Sequence, residues 1–274
     1  MLRHGSVAAA ALCAAAWGGG QPTLLDAGYR QMYNLQFEQA HRTFAEWQAQ
    51  HPDDPLGHVS DAAAYLFTEF DRLHVLQSEF FTHDDHFMTD RRLSADPALK
   101  RKFEAALAAA AGRADRQPRD ADAQFASVLC HGLRSDYLAL IEKRYAGSFN
   151  EMKSARTIAE QLLREHPDYY DAWLAVGVEN YMLSVKPLVL RWFLRLRGAQ
   201  TDRSLGMEKL RLTAEKGRYL APMARLMLAV GALRENDTRR ARELLSALAR
   251  EFPQNALYAE ELRRLPPASA ARTH

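Results

Sequence analysis

Apolar residues recur at helical spacing over most of this chain, and nowhere do they alternate convincingly with polar ones between turn residues, as strands would. From Leu56 to Phe81, the positions Val59, Ala63, Leu66, Phe67, Phe70 and Leu73 share one face of a long predicted helix. A second predicted helix runs from Ala121 to Tyr145, with Leu133, Tyr137, Leu140, Ile141 and Tyr145 in one stripe and Gly147 as its stop. A third follows the polar run after Gly198, from about Arg203 to Lys216. The fold class these patterns predict is all-α.

Within that helical pattern one spacing returns four times: an alanine, a small or apolar residue four positions on, and a proline eight positions later. It reads Ala40, Phe44, Pro52; Ala106, Ala110, Pro118; Ala155, Ala159, Pro167; and Ala241, Leu245, Pro253. Residues four apart lie on the same helix face, so each set describes a helix with a small residue where a neighbour comes close. The proline then ends it. Four such sets in a single chain indicate duplicated units.

This pattern resembles the second helix of the tetratricopeptide repeat family, whose unit is a pair of antiparallel helices. The family's first helix is matched best by Trp173, Val176-Gly177 and, one position late, Tyr181, and more loosely by Leu25, Gly28 and Tyr29. The resemblance covers roughly residues 24–265 and implies a tetratricopeptide-like solenoid of about five helical hairpins. The intervals from Pro52 to Pro118 and from Pro118 to Pro167 exceed the family's unit of about 34 residues, so the middle repeats are expected to be enlarged.

The ends read differently. Met1-Leu2-Arg3-His4 followed by the apolar run from Val7 to Trp17 and the small residues Gly18-Gly19-Gly20 has the form of a secretory signal peptide, so residues 1–20 are expected to be removed. The run is too short for a permanent membrane anchor. Leu12 before Cys13 disfavours lipidation, for which a small residue is wanted. Residues 266–274 are expected to form a disordered tail. Export to the periplasm or cell envelope follows, with Cys130 left as a single thiol that cannot form an internal disulfide and is best read as a small buried hydrophobe.

Composition removes several functions. The 36 basic and 34 acidic residues among 274 nearly cancel, to a net charge of +2, which gives no reason to expect nucleic acid as a partner. No glycine-rich phosphate loop, His-Glu-x-x-His, paired Cys-x-x-Cys or Gly-x-Ser-x-Gly is present. His83-Asp84-Asp85-His86 has ligand-type residues, but four consecutive side chains do not converge on an ion without a tightly folded loop, and a solvated loop is the plainer reading. Neither a metal nor a cofactor is expected.

Two candidate interaction sites remain. In the tetratricopeptide family the first helices line a concave groove, and the resemblance places Leu174, Val178, Tyr181 and Met182 on it, together with Leu25, Tyr29, Met32 and Tyr33. Tyrosine and methionine suit recognition, though packing against the next repeat uses the same residues. The second site is residues 187–196, where Trp192 and Phe193 stand among leucines beside a basic strip of Arg191 and Arg195. Such a helix fits a membrane surface or a partner helix, or equally a buried helix with snorkelling arginines. The expected function is that of a non-enzymatic scaffold holding a protein or peptide in its groove. The competing readings are a membrane-associated assembly factor and an enzyme or ligand-binding protein.

Overall fold

The computed structural model describes residues 21–76, 93–184 and 202–266. Among these, regular structure is helical throughout and no strand occurs. The helices are α1 (Leu24–Tyr33), α2 (Phe37–Gln50), α3 (Pro55–Arg72), α4 (Pro97–Ala114), α5 (Ala121–Asp136), α6 (Tyr145–Glu165), α7 (Trp173–Ser184), α8 (Arg203–Lys216), α9 (Ala221–Arg234), α10 (Thr238–Glu251) and α11 (Ala256–Arg264). They pack in the order in which they are made: α1 on α2, α3 on α4, α5 on α6, α7 on α8 and α9 on α10, with α11 closing the series. Each hairpin also packs on the next through α2 and α3, α4 and α5, α6 and α7, and α8 and α9.

Local chemistry explains where the helices begin. Thr23 and Asp26 form a capping box at α1, and the side chains of Asp54, Asp96, Asp120, Asp202, Asp237 and Asn255 accept backbone N–H bonds at the starts of α3, α4, α5, α8, α10 and α11. Proline at the first position of α3 and α4 adds a preset φ where no N–H is needed.

Most of the recurrent small residues form the contacts their spacing predicts. Ala40, Phe44, Ala110, Ala155, Ala159, Ala241 and Leu245 are buried, and α2, α6 and α10 stop at Gln50, Glu165 and Glu251, two residues before their prolines; Ala106 is only half-buried, and α4 stops at Ala114, four residues before Pro118. Close approach is strictest at Gly28, where a Cβ would stand 2.2 Å from the Phe44 ring, and at Gly206, where it would stand 2.6 Å from the Tyr181 backbone nitrogen. Gly206, Leu210 and Arg218 stand at the same intervals as the four sets, without the alanine or the proline.

Two predicted helices are shorter than their apolar stripes. The helix expected from Leu56 to Phe81 ends at Arg72, because His74 turns left-handed (φ 58°) and the Val75 N–H bonds back to the Phe70 carbonyl. This is a Schellman closure, with Val75 as its fully buried apolar member. The helix expected from Ala121 to Tyr145 becomes a π-helical turn at Tyr137–Ile141 and then reverses at Lys143 (φ 56°). Tyr145 and Gly147 therefore start α6 instead of ending α5. The same left-handed turn, at Leu35 and Asn236, ends α1 and α9. Among the described residues no helix is long and apolar enough to cross a membrane.

Candidate functional site

The first described helix meets the turns around the last ones. Arg218, in the turn between α8 and α9, places its guanidinium on Asp26 of α1 with bonds of 2.8 and 2.7 Å, and the Tyr33 hydroxyl donates to the Tyr219 carbonyl at 3.0 Å. The Tyr29 ring lies on Tyr219 with centroids 4.9 Å apart, and Tyr33 packs against Phe252 at 5.4 Å. Farther along, the Asn255 amide donates to the Tyr33 carbonyl and the Gln254 N–H donates to the Asn34 side chain. The turn that presents Arg218 and Tyr219 is held by Asp171, whose buried carboxylate accepts the backbone N–H groups of Arg218, Tyr219 and Leu220.

The two carboxylates of this junction are tuned in opposite directions. Burial pushes Asp171 above the usual carboxylate value, more than its three backbone donors pull it down. Burial also acts to raise Asp26, but hydrogen bonds from Arg218 and Thr23 outweigh it and hold this group below 3.8.

An apolar cleft lies along the same junction. On one side are Met32, Tyr33 and Leu35 at the end of α1, with Phe67 and Leu76; on the other are Met223, Leu226, Val230 and Leu233 of α9 with Leu257 and Tyr258 of α11. The α9 residues follow one another at three- and four-residue steps, a single apolar row that stays half-buried. The cavity space is about 30 Å³, enough for roughly one water and far below the several hundred Å³ that engulf a small molecule. The only polar side chains on the lining besides tyrosine are Asn255 and Glu261, both already engaged, Asn255 with Tyr33 and Leu257 and Glu261 with Arg264.

The groove residues expected from the sequence fall into this frame unevenly. Tyr29, Met32, Tyr33 and Tyr181 are all less than 5% exposed. Tyr29 is a packing residue between Phe44 and Tyr219, and Tyr181 lies with its hydroxyl 3.0 Å from where a side chain on Gly231 would begin. Met32 and Tyr33 form the floor of the cleft. Leu174 and Val178 are half-buried on α7, and the Met182 side chain lies outside the described residues. Arg191, Trp192, Phe193 and Arg195 also lie outside them, as do His83 to His86. What sequence reading missed is the α9 row, because α9 is apolar on several faces and its own periodicity marks none of them as open.

Other chemistry is sparse. Among the described residues no group of three His, Cys, Asp or Glu side chains is placed to hold a metal ion. Cys130 is buried, and burial raises its thiol to about 12. His41 and His131 each contact one carboxylate, Asp61 at 2.5 Å and Glu151 at 2.6 Å, on the flanks of hairpins and away from the cleft lining. No family model, curated protein or solved structure matches the chain.

Proposed function

We propose that the protein is a non-enzymatic interaction scaffold, a tetratricopeptide-like solenoid of the cell envelope that holds a segment of a partner protein against its inner apolar cleft. The observation that carries this reading is the half-buried row Met223, Leu226, Val230 and Leu233, facing Phe67 and Leu76 across a cavity of only about 30 Å³. A space that small receives individual apolar side chains from another protein surface and does not enclose a cofactor or substrate. The methionine in the row suits an adaptable contact.

The reading is tested with the chain from Gln21 onward as bait in envelope extracts. Val230→Glu should reduce capture of the wild type's partner about tenfold or more, the effect of a charge placed in a desolvated contact centre. Glu104→Lys, on the exposed side of α4, should leave capture unchanged. Equal capture by wild type and Val230→Glu, with the helical signal of both preserved, would remove the cleft from the reading.

A further inference from the structure

We propose that Asp136, the last residue of α5, is the charged half of a binding site for an organic cation, an ammonium or guanidinium on a short apolar stem that lies over Gly132. The two residues stand four apart on one face of α5, with half-buried Leu129 three residues further back. A Cβ placed on Gly132 would meet nothing within 4 Å, so the helix surface one turn before the carboxylate is open. Beyond Asp136 the backbone widens into the π-helical turn Tyr137–Ile141, an irregularity found mostly at functional positions. None of Leu129, Gly132 and Asp136 lines the α9 cleft, so the site stands whether or not that cleft takes a partner.

Asp136 is at once reachable and surrounded. It is an exposed residue, yet the protein around it desolvates its carboxyl and pushes it up to about 7. A group with both properties sits in a recess, where a charge acts through less water than on an open surface. Among the described residues Asp136 has no hydrogen bond and no ion pair. Of the basic residues on either side of it in the chain, His131 and Arg134 contact Glu151 of α6, Arg144 contacts Glu142, and none contacts Asp136. An ionised carboxylate in such a place costs the fold stability until a cation completes it. The open surface sets the shape of that cation's carrier. One helical turn is about 5.4 Å, close to the length of a stem of four or five carbons, and Leu129 gives such a stem an apolar floor.

The test is an NMR titration of the full-length chain at about pH 8, above the value at which Asp136 titrates. Pentylammonium is the free-amine probe, N-acetyl-lysine methylamide the peptide probe and pentanol the neutral control. A cationic probe should bind about tenfold or more tightly than pentanol, the gain of a charge-assisted contact. Tighter binding of the lysine derivative would assign the cation to a protein side chain, and tighter binding of pentylammonium to a free amine. Asp136→Asn should weaken the binding about tenfold or more. This variant should be at least as stable as the wild type at the same pH, because it removes a charge that the surrounding protein disfavours. Gly132→Leu fills the open surface without touching the carboxylate and should also remove most of the binding. Failure of both cationic probes to bind the wild type, or binding undiminished in either variant with its helical signal preserved, would overturn the site.

Discussion

At the scale of single residues, space and charge act separately. Gly206 and Gly112 are both helical glycines, yet an added Cβ meets the Tyr181 backbone at 2.6 Å in the first and nothing within 4 Å in the second. Gly206→Ala should therefore destabilise by about 1–3 kcal/mol through overpacking, and Gly112→Ala should stabilise by about 0.5–1 kcal/mol through helix propensity. Denaturant midpoints of the two variants should move in opposite directions. Ala155→Leu belongs with Gly206 and should also cost about 1–3 kcal/mol. Charge shows at Asp26. Its folded pKa lies below its unfolded value of 3.8, so its contribution is fully present above that value and is lost as pH falls through the folded pKa. Asp171, raised in the folded state, acts with the opposite sign and costs stability as pH rises from 3.8 through its folded value. Asp26→Asn should thus be less stable than wild type at pH 7, and the difference should shrink below about pH 4 in urea titrations.

At the scale of elements, helix starts were legible and several helix ends were not. Asp before proline at Asp54 and Asp96 is a start signal with a mechanism, since the carboxylate accepts an orphan N–H and the proline needs none. Asp120→Ala should cost about 0.5–2 kcal/mol by removing the bond to the Ala123 N–H. The ends of α1, α3 and the π-helical turn pass through left-handed Leu35, His74 and Lys143; leucine and lysine carry no turn signal of their own, and histidine only a weak one. Burial decides these turns: Val75 must reach the core, and His74 takes the strain that follows. His74→Gly should relieve it and raise stability by up to about 1 kcal/mol, read as a higher thermal midpoint, because His74 is exposed and its side chain adds nothing to the turn's bonds.

At the scale of the whole molecule, α1 is tied to the turns before α9 and after α10 by contacts between residues far apart in the chain. Tyr33→Phe removes one bond, to the Tyr219 carbonyl, and keeps the ring on Phe252; it should cost about 0.5–1.5 kcal/mol without changing the circular dichroism. Tyr29→Ala removes a buried aromatic wedge from the junction and should cost about 3–5 kcal/mol. Those magnitudes separate packing from recognition, since a residue lining an open groove would leave stability almost untouched. What the sequence determined by itself is the all-helical class, the starts of α3, α5 and α8, most of the faces of α2, α4, α6 and α10, and the length of α8, because caps and four-residue spacings act within one helix. Only the tertiary structure decided that Tyr29, Met32 and Tyr33 are covered, that Arg218 reaches Asp26, and that one row of α9 stays partly open. Those outcomes depend on residues some 190 positions apart coming together, and no local periodicity encodes which face of an apolar helix the far end of the chain will cover.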